Sequence, residues 1–278
     1  MIGIDAHQHF WRYDAQAYGW IGPDMALLKR DYMPADLRPL QQEMGIAGTV
    51  AVQARQTLEE TYWLLQLADE HPFIRGVVGW ADLRDPEVGM ALERMRAHPR
   101  LCGIRHVVQD EPDDQFLLGD AFCQGVGRLA EFDLAYDLLV MPRHLPAACA
   151  LVERFPDQRF VLDHIAKPPI KAGRISPWDE DIRRLAAHPN VTCKVSGLVT
   201  QADWQAWQPD QVYPYLDVVF EAFGMERIML ASDWPVCTVA GSYARVMRLA
   251  LDYVSQFSVS EQASLCGDNA RRCYRLEG

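Results

Sequence analysis

Eight short runs rich in β-branched and apolar residues recur along the chain, at 4–9, 49–53, 74–80, 101–107, 134–140, 159–164, 191–196 and 227–233. Between them lie longer stretches with apolar residues at helical spacing, such as E-T-Y-W-L-L-Q-L-A-D-E and V-G-M-A-L-E-R-M-R-A. Strict alternation of strand and helix builds parallel sheets, because each return to the same edge needs a crossover helix. Eight such units predict the α/β class and a closed (β/α)8 TIM barrel rather than an open doubly wound sheet. His71-Pro72, His98-Pro99, Phe155-Pro156 and His188-Pro189 each follow a helical stretch and read as helix stops, since proline disfavours helical geometry in the residue before it. The three histidines among them suit helix C-termini, where a partly positive ring meets the dipole. No repeat or low-complexity linker divides the chain, so residues 1–278 read as one barrel domain.

Composition narrows the partners. With 27 Lys and Arg against 38 Asp and Glu, the net charge is −11 and no basic run is present, which argues against nucleic acid and anionic membranes. No stretch has the pattern of a signal peptide or a membrane span. The seven cysteines are scattered without a C-x-x-C pair, as expected of a reduced, cytoplasmic protein. The oligomeric state is left open.

In a barrel of this kind the active site lies at the C-terminal ends of the strands. Those ends offer His7 and His9, Gln53, Trp80, Arg105 and His106, Tyr136 and Asp137, Asp163 and His164, Lys194 and Ser196, and Ser232 and Asp233. So many polar groups converging on one mouth are costly to desolvate unless they serve a site. His7 and His9, two residues apart, leave one face of a strand and can bind one cation or polarise one oxygen. Asp233 suits a general base. Asp163 alternates away from His164 and reads as structural. Arg105 is favoured over His106 for the lumen, with an ion pair to Asp137 as its structural alternative. A buried pairing between strands is the alternative for Lys194. Gln53, Trp80 and Tyr136 suit a polyhydroxylated ligand. The aromatic connection 10–35 and the segment 200–218, with Trp204 and Trp207, are the candidate active-site loops.

Taken together, D-A-H-Q-H-F-W, G-I-R-H, D-H-I-A-K-P, K-V-S-G-L and S-D-W-P, spread over residues 5–236, resemble the lactonase branch of the amidohydrolase superfamily (amidohydrolase 2). That branch holds L-fuconolactonase- and L-rhamnonolactonase-like enzymes and the related pyrone dicarboxylate and sulfomuconolactone hydrolases. The resemblance implies an amidohydrolase-type barrel that hydrolyses a cyclic ester of a small sugar acid. It places His7, His9, His164, Asp233 and Arg105 in the catalytic set. Gln53, Trp80, Tyr136, Lys194 and the loop around Trp11 and Trp20 then hold the sugar hydroxyls.

Arg105 stands where binuclear members carry a bridging ligand, and Asp137 where many carry histidine, so a binuclear centre is not expected. His7, His9, His164 and Asp233 either hold one divalent ion, zinc by donor type, or work without metal as the likeness to the pyrone hydrolase suggests. In either case Asp233 takes a proton from water and returns it to the ring oxygen, while imidazoles, Arg105 or the cation stabilise the oxyanion. No G-x-S-x-G turn is present. The rival is a metal-dependent decarboxylase or amidase on the same groups. A catalytically dead binding protein is the third reading, and the intact base and imidazoles speak against it.

Overall fold

Each of the eight apolar runs is a strand in the computed structural model, which describes residues 3–277. The first four are β1 (Ile4–Gln8), β2 (Gly48–Val52), β3 (Ile74–Gly79) and β4 (Leu101–His106). The last four are β5 (Ala135–Leu138), β6 (Phe160–Leu162), β7 (Val191–Val195) and β8 (Ile228–Leu230). They pair in parallel in sequence order, forming one eight-stranded sheet with the topology of a (β/α)8 barrel.

The crossovers carry α1 (Pro34–Glu43), α2 (Leu58–Glu70), α3 (Val88–Arg96), α4 (Asp120–Arg128), α5 (Leu145–Arg154), α6 (Trp178–Ala186) and α7 (Pro209–Phe223). After the last strand come α8 (Tyr243–Val254), α9 (Val259–Ala263) and α10 (Asn269–Tyr274). Thr57 starts α2 by accepting the Glu60 amide at 3.2 Å, and Ser242 caps α8 through the Arg245 amide at 3.3 Å. His71 is the C-cap of α2, and His98 and His188 lie just past the last turns of α3 and α6. No helix among the described residues is long and apolar enough to cross a membrane. All seven cysteines are free thiols.

Two apolar layers hold the barrel. The larger joins the outer face of the sheet to the helices, with residues such as Leu64, Leu92, Leu151, Ile182 and Val219 fully buried. The smaller fills the interior with Ile4, Ala6, Val50, Val52, Val78, Val161 and Met229, and α10 closes it with Cys273 and Tyr274. Ile4 and Ala6 belong to this interior, yet so do the rings of His7 and His9. A register shift between Asp5 and Gln8 on β1 reconciles the two, re-aiming the strand as it reaches the mouth.

The seam between β8 and β1 differs from the other seven. Among the described residues it has one isolated parallel bridge, Gln8 to Trp234, in place of a ladder. Two backbone bonds serve that bridge, from the Asp233 amide to the His7 carbonyl (2.9 Å) and from the His9 amide to the Trp234 carbonyl (2.7 Å). The Asp5 carboxylate supplies the rest. It accepts the Ser232 amide at 2.9 Å, the Ser232 hydroxyl at 2.7 Å and the Tyr243 hydroxyl at 3.1 Å. Burial pushes its carboxyl up to about 6, against the pull of Ser232.

Candidate active site

His7, His9, His164 and Asp233 converge at the C-terminal mouth, all buried. The Asp233 Oδ1 lies 3.4 Å from His9 Nε2 and 3.9 Å from the Nε2 atoms of both His7 and His164. His7 Nε2 and His9 Nε2 are 3.1 Å apart. The far side of each ring is fixed by a partner. His9 Nδ1 lies 2.8 Å from the Val52 carbonyl, which only accepts, so this nitrogen carries a proton and the ring is held with Nε2 toward Asp233. His164 Nδ1 lies 2.8 Å from the Ser196 hydroxyl. His7 Nδ1 lies between the Lys194 ammonium at 3.2 Å and the Asp163 carboxylate at 3.3 Å, so either of its nitrogens can hold the proton.

The path of β6 explains how Asp163 and His164 reach the same site, contrary to the expected alternation. The strand stops at Leu162, and His164, Ile165, Ala166 and Lys167 all take left-handed φ of 54°, 47°, 59° and 51°. Strict period-2 arithmetic ends there, and both side chains turn inward. Each such residue costs about 1–2 kcal/mol, most of all the β-branched Ile165. Gly197 accommodates the turn, with a φ of 62° and a position where a Cβ would fall 2.8 Å from the His164 ring. Asp233 is also left-handed, at φ 57°.

Burial lowers the pKa of His164 to about 4 against the pull of Asp233 and Asp163, and holds His7 well below the imidazole range. Burial opposes ionisation of Asp233, but the surrounding imidazoles, His164 foremost, outweigh it and keep the carboxyl well below its ordinary range. The cluster is therefore rich in lone pairs around one carboxylate, a composition that a divalent ion completes. Ligands about 2.1 Å from tetrahedral zinc stand roughly 3.4 Å apart, close to the spacings observed here. Ligand atoms of His7, His164 and Asp233 lie within 4.8 Å of one another, so these residues can hold a metal, with His9 beside them.

Beneath this cluster is a buried, charge-balanced network. Arg105 donates from one terminal nitrogen to Asp163 Oδ2 at 3.0 Å, with His7 Nε2 at 3.4 Å. Its other terminal nitrogen donates to the Gln53 carbonyl and, at 3.2 Å, to Gln53 Oε1. The partner of Arg105 is thus Asp163 rather than Asp137. Lys194 is fully buried and pairs with Asp137 at 2.6 Å and Asp163 at 3.0 Å, with the Tyr274 ring 5.2 Å away. Burial disfavours its charge, but the two carboxylates outweigh that and raise its pKa. Burial equally opposes Asp163, yet Lys194, His7 and Arg105 hold it ionised.

A cavity of about 440 Å³ opens above the cluster, within the range of small-molecule sites. His9, His164, Asp233 and Arg105 line it. Of the six residues expected to hold substrate, Trp20 alone lines it, and Trp11 is buried with its indole N–H on the Arg30 carbonyl. Gln53 is spent on Arg105, and Lys194 on its two carboxylates. Tyr136 packs between Phe122 and Phe160 in the layer outside the sheet. The Trp80 backbone is bound to Thr61, and its side chain is not on the cavity wall. These five assignments give way to supporting ones. The 10–35 connection contributes Ala17 and Trp20, whereas Trp204 and Trp207 bond to the Thr200 and Ala240 carbonyls away from the cavity. His106 pairs with Glu111 at 2.8 Å and stacks on Phe116. Sequence reasoning passed over Arg55, Gln109 and Lys167, which stand on loops beyond the strand ends. Only Lys167 carried a signal, as part of D-H-I-A-K-P.

Glu60 ties two of these loops together. It accepts the amides of Ala54 (2.9 Å) and Arg55 (2.6 Å) and the Tyr18 hydroxyl (3.2 Å). Burial pushes its carboxyl up to about 7, against those amides. A raised carboxyl pKa gives stability that is full below the unfolded value of about 4.3 and lost as pH rises through 7. Glu60→Gln stays neutral throughout, so its Tm relative to the parent should climb by about 5 °C between pH 5 and pH 8. Thermal melts at both pH values check this, and a constant difference would exclude Glu60 as the source.

Comparison with known proteins places these features in context. A family model described as amidohydrolase matches residues 4–276. The chain is 42% identical over 286 residues to the L-fucono-1,5-lactonase of Burkholderia multivorans, covering 99% of this chain and 96% of that protein. It is 38% identical over 287 residues to the L-fucono-1,5-lactonase of Burkholderia ambifaria, with the same coverage of each. A crystal structure of an amidohydrolase from Burkholderia multivorans with bound zinc superposes with a TM-score of 0.96 at 41% identity, covering 100% of both chains.

Proposed function

The chain belongs to the amidohydrolase family, and from that footing we propose that it acts, as one catalytic domain, by opening the ring of a small sugar-acid lactone of the L-fucono-1,5 type. The observation that carries the site assignment is the convergence of three imidazoles on Asp233, which with His9, His164 and Arg105 lines one cavity.

Asp233 meets the imidazoles through Oδ1, leaving Oδ2 for a water in the cavity. Asp233 takes a proton from that water as its oxygen attacks the lactone carbonyl. The charge gathering on the carbonyl oxygen is met by the Arg105 guanidinium, fixed in place by Asp163 and Gln53. When the acyl–oxygen bond breaks, the electron pair goes to the ring oxygen and Asp233 returns its proton there. The new carboxylic acid then ionises, so each turnover releases one proton.

His7, His164 and Asp233, with His9 beside them, would hold a single zinc ion, which would supply Lewis acidity toward the carbonyl and water. The zinc-bound structure at 41% identity supports this reading.

A panel of aldonolactones followed by proton release tests the activity. L-fucono-1,5-lactone should be among the fastest, and failure to open any aldonolactone would sink the proposal. Elemental analysis should find about one zinc per chain, as the His7, His164 and Asp233 set allows. Chelation should abolish most of the activity, and zinc should restore it. Full turnover by metal-free protein would remove the ion from the mechanism.

A further inference from the structure

Lys167 lines the cavity with His164 and Asp233 but has no part in the chemistry above. It is the last of the four left-handed residues that end β6, so the same strained turn that aims His164 also delivers Lys167. Its ammonium carries three N–H donors, of which one reaches Gln109 Oε1. Lys194, equally charged and fully buried, is neutralised by two carboxylates. No such ion pair engages Lys167 among the described residues. Two donors are left for whatever occupies the cavity. Gln109, which also lines it, has its carbonyl oxygen taken by Lys167 and keeps its amide N–H groups. Trp20 adds an apolar face to the same cavity. Donors backed by an aromatic face match a ring studded with hydroxyl groups.

We propose that Lys167, seated on Gln109, reads the hydroxyls of the lactone and sets the preference for a polyhydroxylated ring over an unsubstituted ring of the same size. The proposal rests on the lactonase reading. Its physical basis is an asymmetry. A site built to donate hydrogen bonds is left with unpaired, desolvated donors when the ligand lacks acceptors, and rejects that ligand strongly. A lysine that acted on the reacting bond would instead help both rings equally.

The test compares kcat/KM for L-fucono-1,5-lactone and for δ-valerolactone, which has the same six-membered ring without hydroxyls. Lys167→Met should lose roughly 100-fold on the first and less than about 5-fold on the second, collapsing the discrimination. Gln109→Leu should shift the ratio the same way by roughly tenfold. Lys167→Gln, which keeps a donor, should give an intermediate ratio, and it serves if the methionine variant does not fold. Zinc content should match the parent. An equal loss on both rings, or no loss on the hydroxylated one, would overturn the proposal. Wild-type protein that opens neither ring would instead overturn the lactonase reading, and this inference with it.

Discussion

Asp233→Asn lowers kcat/KM for lactone opening by about 10³-fold or more, with the Tm held within about 2 °C of the parent. The substitution is chosen for the backbone as much as for the carboxylate. Residue 233 sits at φ 57°, and asparagine is among the few residues that tolerate that region without a large penalty. An alanine there would mix strain with lost chemistry. Asparagine keeps the shape and an acceptor oxygen but cannot take a proton from water, and it removes the negative charge that all three imidazoles face. A 10³-fold loss corresponds to about 4 kcal/mol of transition-state stabilisation. Initial rates by proton release, beside a thermal melt, measure both quantities. Activity within tenfold of the parent would exclude Asp233 as the base.

Lys194→Met acts on the fold rather than on the ligand. The substitution leaves Asp137 and Asp163 buried without their shared cation, a change that typically costs about 3–5 kcal/mol. In a barrel of this size that is a fall in Tm of roughly 10 °C. If Lys194 bound the sugar, as its place at a strand end suggests, KM would rise with the Tm unchanged. Circular-dichroism melts separate the two, and an unchanged Tm would contradict the structural role. Removing one of the stranded charges through Asp137→Asn should recover part of the loss, because the penalty belongs to the unpaired carboxylate.

These variants mark how far the site could be read from sequence. Strand order and helix ends were legible because β-branched runs and proline punctuation are local signals. His7, His9, Arg105 and Asp233 were legible because strand ends in a parallel barrel share one mouth. Depth was not. Gln53 and Lys194 end their strands as convincingly as Arg105 does, yet they sit below the cavity floor, bound to protein partners. Only the packing decides which polar group meets the ligand and which supports its neighbour. Direction failed at β6, where the chain leaves extended geometry one residue before His164, and alternation no longer separates it from Asp163. Arg55, Gln109 and Lys167 lie on loops, where no periodicity points a side chain anywhere.

The seam closed by Asp5 ties the site to the meeting of the two ends of the sheet. His7 rides on the first strand of the barrel and His9 directly follows it, while Asp233 follows the last. Nothing in the intervening strands can bring them together. A nascent chain that has formed seven strands holds a nearly complete scaffold but no catalyst. Chemistry begins only when the eighth strand docks against the first and Ser232 finds the Asp5 carboxylate. Activity therefore depends on the joining of the first and last strands, and a barrel open at that seam would be chemically silent.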